Sequence, residues 1–204
     1  MSVYTTTNFK TYIDKSVDYA TYLADFELAV EHNTPLPESE QISLFKYYPL
    51  NLQRTHRIHK QYTIMPELLA AVNALDKPIY WLVITEPWCG DSAQNLPVIA
   101  DVAEQSGGKI NLRIVYRDEN PELIDRFLTN GGRSIPKLIQ LTNDLEFIAD
   151  WGPRPAEAQA LVFKLKADNI PHDEYIATVH KWYADDKAQS LSTELVELLG
   201  KANK

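Results

Sequence analysis

The chain contains one cysteine, Cys89, in the run Trp88-Cys89-Gly90-Asp91-Ser92. A lone thiol can serve as a nucleophile, form a mixed disulfide, or sit as a small buried hydrophobe. Its place in the chain is compatible with chemistry and with burial alike. Before it, Ile79 to Thr85 is an unbroken apolar, β-branched and aromatic run, which predicts a strand covered on both faces. After it, Ala93 to about Gln105 predicts a helix closed by Ser106-Gly107-Gly108. A thiol where a strand gives way to a helix meets unpaired backbone N–H groups and the positive end of the helix dipole. Both stabilise a thiolate, and cysteines so placed have pKa values lowered from about 8.5 to roughly 3.5 to 7.5. Ser92 can donate a hydrogen bond to the thiolate, whereas the carboxylate of Asp91 disfavours it, so the direction of the net shift stays open.

The count of one also excludes. It permits no intrachain disulfide and no cysteine-based zinc site. Twenty basic against twenty-eight acidic side chains give a net charge of −8, which argues against nucleic acid and anionic membrane as partners. No apolar run approaches membrane-spanning length and Met1 to Lys10 has no secretory core, so a cytoplasmic, reducing location is the expectation. The 204 residues, 45% of them hydrophobic, suffice for a core without metal or disulfide support.

The remaining elements follow from periodicity and punctuation. Phe9 to Val30 predicts one long amphipathic helix ended by Pro35 and Pro37. A second helical stretch runs through Leu44-Phe45 and, after Pro49, from Leu50 to about Lys60, and carries the basic run Arg54 to Lys60. Met65-Pro66-Glu67 opens a helix through Leu75. A strand is expected from Lys109 to Arg117, a helix from Asn120 to Leu128, a hairpin of Lys137–Leu141 with Leu145–Trp151, and a helix from about Ala156 to Ala167. One or two helices follow Pro171. His56 and His59 have helical spacing for a shared metal, yet no third ligand is suitably spaced, and a solvated or salt-bridged basic face is the favoured reading.

Trp88-Cys89-Gly90-Asp91-Ser92 resembles the Trp-Cys-Gly-x-Cys turn of thioredoxins, in the matching strand-to-helix position. Pro97, eight residues past Cys89, resembles the proline that kinks their active-site helix. Ser134-Ile135-Pro136 is similar to their cis-proline loop, and Gly152 follows Pro136 at the family's spacing of sixteen. Asn51-Leu-Gln-Arg54 with Arg57, Thr85 to Gln94 and Gly132 to Lys137 resemble more narrowly an uncharacterised bacterial group of thioredoxin-family proteins with a helical N-terminal extension. The resemblance implies an α/β, three-layer thioredoxin-like fold with a central mixed sheet. It places the thioredoxin-like domain at residues 65–168, between helical extensions at 1–64 and 169–204, all in one compact unit.

For the site, the resemblance implies Cys89 and Ser92 as the catalytic pair. Trp88, Ile135, Pro136, Trp151 and Gly152 would hold substrate, the Ile135 backbone facing an extended peptide. No metal is implied, and glutathione is a candidate co-substrate rather than a resident cofactor. Arg54, Arg57 and Lys60 are candidates to border the site and hold an anion such as a glutathione carboxylate. The departures decide the mechanism. Ser92 stands where thioredoxins have the resolving thiol, so dithiol reductase activity is excluded within one chain. Val83 stands where they bury an aspartate that assists proton transfer.

Two functions remain. One is a monothiol oxidoreductase whose adduct an external thiol, on a protein or a small molecule, resolves. The other is a redox-inactive peptide- or protein-binding module, which a buried Cys89 titrating above 8.5 would favour. A one-cysteine peroxidase expects threonine where Glu86 stands, and phosphatase or arsenate-reductase chemistry expects arginine where Asn95 stands. The sequence does not bear on the oligomeric state.

Overall fold

In a computed structural model that describes residues 7–35 and 42–203, four strands form one mixed sheet. β1 (Ile79–Thr85) pairs in parallel with β2 (Ile110–Tyr116) and antiparallel with β3 (Lys137–Thr142), which pairs antiparallel with β4 (Phe147–Trp151), giving the order β2-β1-β3-β4. The sheet is buried on both faces because β1 is apolar from Ile79 to Ile84. Trp81 and Val83 join one hydrophobic cluster and Leu82 and Ile84 the other.

The helices supply the outer layers. α1 (Phe9–Lys15), α2 (Tyr19–Glu31), a 3-10 segment (Ile42–Tyr47), α3 (Tyr48–Gln61) and α4 (Pro66–Asn73) precede the sheet. α5 (Gly90–Gln105) makes the crossover from β1 to β2, and the short α6 (Pro121–Ile124) follows β2. α7 (Ala156–Ala167), α8 (His172–Asp186) and α9 (Gln189–Leu199) complete the chain. Phe26 of α2, Tyr48 of α3, Val72 of α4, Trp81, Ile99 of α5 and Leu195 of α9 share one cluster, so the terminal helices and the sheet have a common core. The fully buried Gln140 ties α9 to the sheet: it accepts from Trp81 Nε1 at 3.0 Å and donates to the Leu198 carbonyl at 2.8 Å.

Local geometry corrects several boundaries. The expected single helix from Phe9 to Val30 breaks at Ser16-Val17-Asp18. Val17 exchanges backbone hydrogen bonds with Ile114 along the open edge of β2, and Asp18 then caps α2 by accepting from the Thr21 amide at 2.8 Å. Pro35 follows α2, and Pro37 lies outside the described residues. Pro49 sits in the first turn of α3, where its missing N–H costs nothing. The helix expected to reach Leu128 ends at Ile124. Beyond it, Asn130 and Gly131 take positive φ in a turn closed by paired Thr129 and Gly132.

Candidate functional site

The site forms where β1 ends. Cys89 is the N-cap of α5, so the helix begins three residues earlier than Ala93, and the Ser92 amide points at Sγ from 3.5 Å. From the opposite side the thiol donates to the Ile135 carbonyl at 3.2 Å, and the Ile135–Pro136 peptide is cis. Cys89 is 8% exposed and borders a cleft of about 540 Å³ walled by Trp88, Ile135 and four arginines, Arg54, Arg117, Arg133 and Arg154. The Arg117 guanidinium lies 4.5 Å over the Trp88 ring.

The electrostatics settle the direction left open by the sequence. Burial pushes the Cys89 thiol up to about 11; Asp91 adds to the rise, while the Ser92 side chain and the Ser92 and Asp91 amides pull weakly down. Asp91 is itself held in a network that α8 completes. Arg154 pairs with it at 2.6 Å and the Tyr183 hydroxyl donates to it at 2.8 Å, while Asn95 donates to Tyr183 at 3.0 Å. Burial pushes the Asp91 carboxyl up, opposed by Arg154 and the Tyr183 hydroxyl. Another α8 residue, His180, shares a 3.1 Å hydrogen bond with Gln94 and packs against Gly90; a Cβ on Gly90 would lie 3.0 Å from the imidazole. Burial, then Arg54 and Arg57, push the His180 pKa down to about 4, so it is neutral at pH 7.

The predicted residues divide in space. Trp88, Cys89 and Ile135 wall one cleft, with Ser92 beneath; the buried Ser92 hydroxyl has no hydrogen-bond partner apart from Cys89. Trp151 and Gly152 lie instead in a neighbouring cleft, because Trp151 Nε1 donates to Glu194 of α9 at 2.5 Å. Pro136 joins the two regions, its carbonyl set against Gly152. Of the α3 basic run, Arg54 reaches the thiol cleft, Arg57 turns to Gln94 at 3.3 Å, and Lys60 is exposed. His56 and His59 go to separate partners, Glu27 and Asp101, and no cluster of three metal-ligating side chains occurs among the described residues. Sequence reasoning missed Arg154, His180 and Tyr183. The α8 periodicity marked an apolar face, but nothing in the sequence showed which surface it would meet.

A sequence profile described as thioredoxin matches residues 40–174, two thirds of the chain. The chain belongs to the thioredoxin family. Over 53 residues it is 42% identical to thioredoxin 1 of Nostoc sp. and 36% identical to a thioredoxin of Synechocystis sp.. Those 53 residues are 26% of this chain and 47% of either relative, so the chain spans about half the length of the curated relatives it matches. The crystal structure of a Pseudomonas aeruginosa protein of unknown function superposes with a TM-score of 0.64 at 14% identity, covering 93% of this chain and 95% of that one. At that identity the likeness speaks for the fold, helical segments included. No helix among the described residues is long and apolar enough to cross a membrane.

A second buried carboxyl lies just beyond the end of β1. Val83 is fully buried and apolar, and Glu86, three residues before the cysteine, is the carboxyl with no exposure. Glu86 Oε1 accepts from the Asp118 amide at 2.9 Å, while Oε2 has no partner. Burial is the main reason its pKa rises from 4.5 to about 8. The folded state therefore holds a proton on Glu86 that the unfolded state releases between those two values. The resulting stabilisation is complete below pH 4.5 and is lost as pH rises through 8. Glu86→Gln is expected to flatten the fall in unfolding free energy between pH 5 and pH 9, by a few kcal/mol. Urea titrations at those two pH values check this; an unchanged slope would mean Glu86 is ionised in the fold.

Proposed function

We propose that this thioredoxin-family chain performs thiol–disulfide exchange as a monothiol protein, with Cys89 as the attacking sulfur and an external thiol completing the cycle. What carries the proposal is that Cys89 caps α5 and hydrogen-bonds the Ile135 carbonyl beside an arginine-walled cleft. In the first step the Cys89 thiol gives up its proton and Sγ attacks one sulfur of a disulfide. A mixed disulfide with Cys89 forms, and the departing thiolate takes the proton. In the second step an external thiol attacks the adduct; Cys89 returns to the thiol and a new disulfide leaves. Ser92 serves as hydrogen-bond donor to the thiolate and performs no resolution. Glutathione fits the role of co-substrate, and the cytoplasm is the compartment whose thiol pool would run the second step. The helical N-terminal segment and the Trp-Cys-Gly-Asp-Ser turn are further read as marks of the narrower bacterial group, with residues 65–168 as the thioredoxin-like domain.

One observation favours a second reading. A thiol buried and raised to about 11 meets the condition for a redox-inactive module that holds a peptide or protein along the Ile135-Pro136 loop. Trapping in cells separates the two: mixed disulfides are captured by acid quench and alkylation, and wild type is compared with Cys89→Ser by mass spectrometry. Cysteine-dependent protein partners or a glutathione adduct support exchange. Their absence removes the redox reading and leaves the binding module.

A further inference from the structure

Three of the four arginines around the thiol cleft are already neutralised. Arg154 is paired with Asp91 at 2.6 Å, Arg133 with Asp125 at 2.7 Å and Arg117 with Asp118 at 2.7 Å. Arg54 differs. Among the described residues no carboxylate comes within 4.0 Å of its guanidinium, and it makes one hydrogen bond, from Nη1 to Asn51 Oδ1 at 2.8 Å. Asn51 is fully buried, and its amide donates to the Pro87 carbonyl at 2.9 Å, two residues before the thiol. The pair therefore fixes Arg54 to the active-site turn, with Nη1 3.5 Å from where a Cβ on Gly90 would stand.

A guanidinium has five N–H donors, and a half-buried one with no ion pair of its own, feeling Asp91 only at a distance, is a standing attraction for an anion. Burial, then Arg57, pull the Arg54 pKa down against the opposing pull of Asp91, and the same two arginines help keep His180 neutral. Arg57 faces away, into a separate cavity with Tyr62 and Tyr183, so of the α3 basic run Arg54 alone looks at the thiol. The cleft, about 540 Å³, is also lined by the apolar side chains of Tyr47, Leu50 and Ile176, a size suited to a small molecule. The net charge of −8 works against a large acidic partner, whereas a small anion can be drawn to one local cation.

We propose that Arg54 is the anchor for a carboxylate of a low-molecular-weight thiol, and so makes Cys89 selective for carboxylate-bearing thiols of the glutathione type over neutral ones. The covalent part rests on the exchange reading above; the binding part does not. In the covalent step Cys89 thiol and glutathione disulfide give the Cys89–glutathione mixed disulfide and one glutathione thiol, with no other oxidant needed.

Two arms test this. In the first, S-methylglutathione is titrated calorimetrically into Cys89→Ser protein and into the same protein carrying Arg54→Gln, Arg54→Lys or Arg57→Gln, each checked by thermal melt. Arg54→Gln is expected to weaken binding about tenfold or more and to reduce its salt dependence, Arg54→Lys to retain part, and Arg57→Gln to change it less than threefold. Absent binding at millimolar ligand, an effect of Arg54→Gln under threefold, or an equal loss in Arg57→Gln overturns the anchor. In the second, adduct formation on Cys89 by glutathione disulfide is compared with that by neutral hydroxyethyl disulfide. Wild type should prefer the first, and Arg54→Gln should flatten the ratio about tenfold. If both disulfides react with a ratio Arg54 does not alter, the anchor falls and exchange stands. If S-methylglutathione binds through Arg54 while neither disulfide reacts, exchange falls and the anchor stands.

Discussion

Iodoacetamide is expected to alkylate Cys89 at pH 7 roughly twentyfold more slowly than it alkylates a free cysteine, with the rate climbing about tenfold per pH unit as far as pH 10. Two opposing effects set this rate. A thiol at about 11 is ionised in about one molecule in ten thousand at pH 7, some 300-fold less than an ordinary thiol at about 8.5. The more basic thiolate is the better nucleophile, by roughly 10- to 20-fold over that interval, which recovers only part of the loss. Burial of Sγ slows the reagent further. Asp91→Asn should then raise the rate at pH 7, because it removes the charge that opposes the thiolate and leaves the Arg154 cation beside it. Each unit of lowered pKa gives about a threefold net gain at this pH. The same variant loses stability, since Arg154 keeps a buried site without its partner. A wild-type rate equal to that of a free cysteine, levelling off above about pH 9.5, would show that the thiol is not raised; an Asp91→Asn rate equal to wild type would remove Asp91 as a cause.

Gly152→Ala is expected to cost about 3 kcal/mol or more in unfolding free energy. Gly152 has φ +117, a region that side chains rarely enter, and a Cβ there would stand 2.3 Å from the Pro136 carbonyl oxygen. That oxygen belongs to backbone at the start of β3 and cannot swing aside. Lys137, buried next to it, donates to the Gly152 carbonyl at 3.0 Å and pairs with Asp150 at 3.2 Å, so the two segments move together or not at all. Urea unfolding followed by circular dichroism measures the loss. A change under 1 kcal/mol would mean that the β4 end relaxes around the methyl group.

The elements around the thiol were legible because their signals are local. The apolar run Ile79 to Ile84, a small turn and a second proline-marked turn place β1, α5 and the Ile135-Pro136 loop from sequence alone. What depended on distant chain was hidden. Ser16-Val17-Asp18 fits the helical period of its flanks, and only the free edge of β2 explains why those residues leave the helix. Trp151 has the spacing of a rim residue, yet Glu194 draws its indole to a neighbouring cleft. For Cys89, both local influences were visible, the helix N-terminus and Asp91. The stronger one, burial, comes from the cluster that Cys89 shares with Ile135 and other residues distant in sequence, and no pattern near residue 89 announces it.

The reach of α8 to the thiol turn has a consequence in time. Chains are made from the N-terminus, and residues 79–105 leave the ribosome well before His180 and Tyr183 exist. Until then Asp91 lacks its Tyr183 partner, Gly90 has no imidazole against it, and the thiol cleft lacks the wall that His172, Ile176 and His180 supply. The surroundings of the single thiol are thus completed only when the last part of the chain has been made.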